Sequence, residues 1–123
     1  MTRGFRGATT VTENKANEIL HETAKLVKEM VRVNEIRPDD ISHVFFSVTD
    51  DLNASFPAKA ARELEGWTHV PVMCMREIDV PNSLPKCIRV MLVAATTLKQ
   101  HEVTHIFLND AIKLRPDLIE GEQ

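Results

Sequence analysis

Only one segment of the chain has helical periodicity long enough to form a substantial helix. Between about Ala16 and Asn34, apolar residues recur every three or four positions and form one continuous apolar face. Most other apolar runs are short and typical of β-strands. One helix covers only one face of a sheet, so the sequence predicts an α+β fold whose other sheet face needs a partner, and therefore an oligomer.

Five strands are predicted from runs of β-branched, aromatic and other apolar residues that are bounded by turn-forming residues. Their predicted bounds are residues 3–11, Ile41–Thr49, Val70–Met75, Cys87–Ala95 and His105–Leu108, followed by a turn-like tail at Leu114–Leu118. A short helix is predicted from Ser55–Pro57 to Leu64, because proline suits a first helical turn. We therefore expect a mixed five-stranded sheet packed by one long helix plus short helices, in a single domain spanning residues 1–123.

Composition and charge disfavour several classes of partner. The 15 basic and 18 acidic residues give a net charge of −3 and form no basic block, so we expect no nucleic-acid partner. The longest apolar run, Val90–Ala95, is too short to span a bilayer, so we expect no membrane association. The N-terminal residues lack a signal peptide's apolar stretch, and Cys74 and Cys87 are interpreted as reduced thiols. These features predict a cytoplasmic protein.

Arginines inside apolar segments are the most informative residues. Arg89 lies in the middle of the most apolar predicted strand, and alternation places its side chain on the same face as Met91 and Val93. Arg6 lies within the first predicted strand, between Phe5 and a glycine. Because desolvating an unpaired guanidinium is costly, such arginines must be paired or must bind a ligand.

Further cations accompany them, with few matching acids. Lys59 and Arg62 lie three residues apart on one side of the short predicted helix, and Arg115 follows the segment Ala111–Leu114. A single arginine more often pairs with a nearby carboxylate or extends to solvent. However, only Glu77 is an obvious acidic companion, and one carboxylate cannot neutralise several cations. The set therefore predicts a site for a small dianionic ligand.

The segment His101–His105 (HEVTH) matches the H-E-x-x-H signature of zinc peptidases. That motif functions only on a helix, where both imidazoles reach one metal ion. Here His101 follows a polar loop and His105 opens a predicted strand, so we predict no metal site. A zinc hydrolase remains the alternative, which metal analysis would test. Cys74 has no His–Asx pair recognisable in the sequence and is interpreted as a packed or weakly hydrogen-bonding thiol.

Five segments spread along the chain together form a specific pattern. They are Arg3–Val11 (RGFRGATTV), Phe56–Arg62 (FPAKAAR), Val70–Met75 (VPVMCM), Cys87–Val90 (CIRV) and Leu114–Leu118 (LRPDL). In order and spacing they resemble the monofunctional, trimeric bacterial chorismate mutases. The resemblance runs from about residue 3 to residue 118, which makes it far more specific than any single short motif. It implies a homotrimer with a barrel-like centre and active sites in the clefts between subunits.

The resemblance also implies which residues form the site. From one chain, the resemblance implies Arg6, Glu77, Arg89 and Leu114. From the neighbouring chain, it implies Phe56, Ala58, Lys59, Val72, Met73 and Cys74. It also implies two outer, more mobile cations, Arg62 and Arg115. The family pattern has a tyrosine where this chain has Phe107, and the chain contains no tyrosine. One hydroxyl contact with the substrate is therefore absent, while the ring can still pack.

The family reaction implies a mechanism without a cofactor. Chorismate rearranges to prephenate, a step of aromatic amino-acid biosynthesis, by a pericyclic process within one molecule. Positioning and electrostatic stabilisation are what a protein contributes to such a reaction. We expect Arg89 to face the ether oxygen, Arg6 to hold a carboxylate, and Glu77 to accept from the ring hydroxyl with Cys74 beside it. An anion-binding or imine-hydrolysing protein on the same kind of fold is the other alternative.

Overall fold

The computed structural model describes residues 1–114 and contains an α+β arrangement. The strands are β1 (Thr2–Thr10), β2 (Ile41–Val48), β3 (Val72–Arg76), β4 (Cys87–Ala95) and β5 (Ile106–Phe107). The helices are α1 (Ala16–Val33) and α2 (Ala58–Arg62), with short 3₁₀ turns at Pro38–Asp40, Gln100–Glu102 and Asn109–Lys113. The predicted turn-like tail is Leu114–Leu118, and all of it after Leu114 lies outside the described residues. No helix within residues 1–114 is long and apolar enough to cross a membrane.

The five strands form one mixed sheet in the order β3-β2-β4-β1-β5, which confirms the predicted sheet. β4 lies at the centre and pairs antiparallel with both β1 and β2. β3 and β5 form the two edges, and each runs parallel to its neighbour. The central position of β4 explains its sequence, because a strand buried between two neighbours in a sheet is rich in apolar residues on both faces.

The long helix α1 covers one face of this sheet. Its buried residues Leu26, Val27 and Met30 belong to the same core cluster as Phe5 and Leu92 of the sheet. Successive side chains of a strand point to opposite faces, so the neighbours of these core residues point away from α1. We call that second surface the open face.

The open face of the sheet is apolar and accessible in the single chain. Phe45, Met73 and Met91 are neighbours in register across β2, β3 and β4, and their exposed fractions are 37%, 59% and 38%. Large contiguous apolar surfaces of this kind are usually covered by a partner. The single chain thus has the half-covered sheet that the sequence predicted.

The structure shifts several predicted bounds by one residue, and it corrects those of three elements by more. β3 begins at Val72 and not at Val70, because the Val70 N–H donates to Trp67 O in a turn. The following Pro71 has no N–H to contribute to a strand ladder. α2 is limited to Ala58–Arg62, with single-turn hydrogen bonds before and after it. β5 is only two residues long.

Gly7 allows α1 to pack closely against β1. A Cβ atom added at Gly7 would overlap the Met30 sulfur and lie 3.2 Å from Leu26 Cδ1. The helix therefore rests almost directly on the backbone of β1 at this position. Arg6 and Ala8 flank Gly7, so their side chains point to the open face. The close contact at Gly7 therefore also fixes the position of the backbone that carries these two side chains.

We predict that Gly7→Ala lowers the free energy of unfolding by about 1–3 kcal/mol, because it overfills a packed interface. Gly4→Ala, on the same strand, is the matched control. Its Cβ would meet only the flexible Met91 side chain, at 3.3 Å. Urea unfolding followed by circular dichroism measures both variants. Equal effects at the two positions would show that the close packing of α1 on Gly7 is not a constraint.

Candidate active site

A cavity of about 440 Å³ opens on the open face of the sheet. Its wall includes the predicted site residues Arg6, Arg89, Phe107 and Leu114, together with Gly7, Ala8, Phe45, Ser47, Val90 and Met91. Strand register explains this convergence. Arg89 of β4 lies opposite Ala8 of β1 on one side and opposite Ser47 of β2 on the other. The short edge strand β5 places Phe107 opposite Ala8.

Arg89 is held by one carboxylate. Its Nε lies 3.2 Å from Glu77 Oε1, and the two side chains are 47% and 22% exposed. The second carboxylate oxygen, Glu77 Oε2, accepts a hydrogen bond from Ser47 Oγ. A guanidinium has five N–H donors, so this ion pair leaves Arg89 able to bind an anionic or polar ligand. Glu77 thus orients the cation without saturating it.

Arg6 is fixed through its backbone. The Arg6 N–H donates to Nδ1 of His105, at 2.9 Å. This contact ties β1 to the segment that leads into β5, next to the residue pair Gly7 and Ile106. The backbone of Arg6 is therefore anchored where its side chain meets the cavity.

The H-E-x-x-H motif does not form the helix that a zinc peptidase requires. Gln100–Glu102 is a short 3₁₀ turn, and Val103 is extended, with φ −68° and ψ 131°. His101 and His105 therefore do not share one face of an α-helix. Within residues 1–114, no three His, Cys, Asp or Glu side chains form a group that could hold a metal ion.

Cys87 lies two residues before Arg89 on β4 and is 1% exposed. Burial raises the pKa of the Cys87 thiol, and the nearby Arg89 guanidinium acts in the opposite direction with a smaller effect. The thiol is therefore neutral at neutral pH. It does not become a second anion that would compete with a ligand for Arg89.

Three other predicted residues line a separate cavity of about 740 Å³. They are Phe56 from the loop before α2, Lys59 from α2 and Cys74 from β3. Phe56 is 72% exposed, which is unusual for a large aromatic side chain. Within one chain the predicted site thus divides into two sets, one around Arg89 and one around Lys59.

Four other predicted residues within residues 1–114, namely Ala58, Arg62, Val72 and Met73, line neither cavity, and Glu77 lines a third, neighbouring cavity. Ala58 is buried, Val72 is half-buried, and Arg62 is exposed at the end of α2. Met73 lies on the open face beside Phe45, whereas Cys74 points to the opposite side of β3. Arg115 lies outside the described residues.

Sequence reasoning missed Phe45, Ser47 and Met91 as cavity residues. Alternation along the predicted second strand does place Phe45 and Ser47 on one face. It does not say which face meets Arg89, because that depends on the register between β2 and β4. The local signal that could have drawn attention to Ser47 is a serine next to the apolar run of this strand.

Comparison with known proteins decides the family. The family model for chorismate mutase type I matches residues 2–118. The chain belongs to the type I chorismate mutase family. This result confirms the resemblance seen in the sequence, and it places the chain among isomerases.

Individual type I relatives support the assignment over nearly the full length. The chain is 48% identical to chorismate mutase AroH of Bacillus subtilis (strain 168), over 96% of this chain and 93% of that protein. It is 43% identical to chorismate mutase AroH of Thermus thermophilus, over 96% and 97%. A solved chorismate mutase from Clostridium thermocellum superposes with a TM-score of 0.86, at 52% identity, and covers 89% of this chain and 96% of that one.

We predict that Cys87 reacts slowly in the folded protein, because it is buried and its pKa is raised. A Cys74→Ser variant leaves Cys87 as the only thiol of the chain. Its alkylation by iodoacetamide, followed from pH 7 to pH 10, should be far slower in the native state than in urea. Fast native alkylation at neutral pH would mean that Arg89, and not burial, dominates the environment of this thiol.

Proposed function

We propose that this chain converts chorismate to prephenate in the cavity that contains Arg6 and Arg89. The observation that carries the proposal is the surplus of cations at that cavity. Two guanidinium side chains, Arg6 and Arg89, enter it, and the described carboxylate paired with Arg89 is Glu77. Chorismate carries two carboxylates, so such a site complements its charge. Membership of the type I chorismate mutase family supports the same reaction.

The rearrangement breaks the ether C–O bond while a C–C bond forms in the same molecule. No covalent intermediate and no proton transfer are needed, so the protein contributes by holding the folded substrate and by stabilising charge. Negative charge develops on the ether oxygen as its bond to carbon lengthens. We assign Arg89 to that oxygen, because Glu77 contacts its Nε and leaves its other N–H donors unoccupied by that carboxylate.

The other roles are those that the family resemblance implies. Arg6 holds a substrate carboxylate bidentately, as the guanidinium fork allows. Its backbone N–H is held by His105. Glu77 accepts from the ring hydroxyl with Cys74 beside it, while Phe107 packs against the substrate without the hydroxyl of a tyrosine. No cofactor enters this mechanism.

We further propose a homotrimer whose active sites lie between subunits. Two features support it: the apolar open face, and the separation of the two sets of site residues in one chain. In the trimer, the set of Phe56, Lys59 and Cys74 from one subunit closes the cavity around Arg89 of the next. The partner also removes water from the site, which strengthens every charge interaction in it. Both cysteines are free thiols, which supports action in the cytoplasm.

We predict that the chelated wild-type protein consumes chorismate and that Arg89→Lys lowers kcat by about a hundred- to a thousandfold. Lysine keeps the charge but loses the planar fork that binds Glu77 and the ether oxygen together. Chorismate loss and prephenate formation measure both proteins.

Arg32→Lys is the matched control, because Arg32 is an exposed helix residue paired with Glu29 and lies outside both cavities. It should retain wild-type kcat. An Arg89→Lys variant within a few-fold of wild type would remove Arg89 from its assigned role. Activity that disappears on chelation and returns with zinc would instead favour the metal-dependent alternative.

A further inference from the structure

Ser47 occupies a position that the assigned site residues leave unexplained. It lies on β2 in the wall of the cavity, directly opposite Arg89 in register. Its hydroxyl donates to Glu77 Oε2, while Glu77 Oε1 contacts Arg89 Nε at 3.2 Å. A continuous chain of polar contacts therefore runs from Ser47 through both carboxylate oxygens to the guanidinium.

The backbone strengthens this connection. The Glu77 N–H donates to Val48 O at 2.9 Å, so the main chain just after β3 is tied to β2 one residue from Ser47. Both the backbone and the carboxylate of Glu77 are thus anchored to the same strand. Loop residues fixed at only one point reorient easily, whereas two anchors restrict the carboxylate to a small region.

Glu77 can orient Arg89 only as firmly as the carboxylate itself is held, because an exposed ion pair alone restrains both side chains weakly. The Arg89 side chain is 47% exposed, and ion pairs at exposed sites contribute little because water screens them. Serine has a short side chain with a single heavy-atom rotor, so its hydroxyl holds the carboxylate with little loss of entropy. Electrostatic catalysis depends on donors that are already in place before charge develops.

We propose that Ser47 is a positioning residue for the rearrangement, acting on Arg89 through Glu77. The proposal rests on the mutase function proposed above. The proposed action of Ser47 is on the Glu77 carboxylate and not on the substrate. Its effect is to keep the carboxylate in the one orientation that aims the guanidinium into the cavity.

Ser47→Ala should therefore lower kcat by about three- to tenfold, the equivalent of one net hydrogen bond. KM should change by less, since Ser47 holds no substrate carboxylate. Ser47→Thr keeps the hydroxyl and should recover most of the lost kcat. Ser42→Ala, on the same strand but outside the cavity, is the control and should leave both parameters unchanged.

A double-mutant cycle with Glu77→Gln identifies the route of the effect. If Ser47 acts through the carboxylate, Ser47→Ala should cause little further loss of kcat in the Glu77→Gln background. An equal loss in both backgrounds would overturn the proposal, as would a Ser47→Ala variant with wild-type kcat.

The Nε–H resonance of Arg89 in NMR spectra gives a readout that needs no activity. It should exchange slowly with solvent in wild type and in Ser47→Thr, and rapidly in Ser47→Ala. Rapid exchange in wild type would overturn the positioning proposal even in an active enzyme. Absence of chorismate turnover in wild type would instead contradict the proposed function, so the two failures are distinguishable.

Discussion

The close packing of one helix against one face of the sheet determines where everything else lies. Because α1 rests on β1 at Gly7, the even-numbered residues of the central strand β4 become the core, and its odd-numbered residues from Arg89 onward lie on the open face. Arg89 belongs to that open face, where a guanidinium in an apolar strand keeps access to a ligand. A second covering helix would have forced the same arginine to be buried or replaced.

The charges at the cavity are compensated only when a ligand is bound and a partner covers the open face. Alone, Arg89 is half exposed and its pairing with Glu77 is screened by water. Covering the open face with the apolar surface of another subunit would lower the local dielectric and strengthen the attraction to an anionic substrate. The same desolvation would be unfavourable for the cations without that substrate, so binding and charge compensation are coupled.

The sequence predicted the elements whose signals are local. β4 has the predicted bounds, and α1 begins where predicted and ends one residue early, because periodicity and apolar content are properties of single segments. The start of β3 was wrong, because the turn at Trp67–Val70 is set by a backbone hydrogen bond. The cationic character of the site was also visible locally.

The cavity around Arg89 was less accessible to local reasoning. That Ser47 faces Arg89 depends on strand register, and that Lys59 lies away from Arg89 depends on the path of the whole chain. Roles for individual residues came from family resemblance and not from spacing.

Mixing two defective variants tests the central claim, a site shared between subunits, most directly. Arg89→Ala and Lys59→Glu should each be nearly inactive alone. Unfolded together in equal amounts and reassembled at random as trimers, they should regenerate intact sites at about a quarter of the total, and activity should recover to about a quarter of wild type. No recovery, with mixed trimers demonstrably present, would place both residues in one subunit's site and contradict the account.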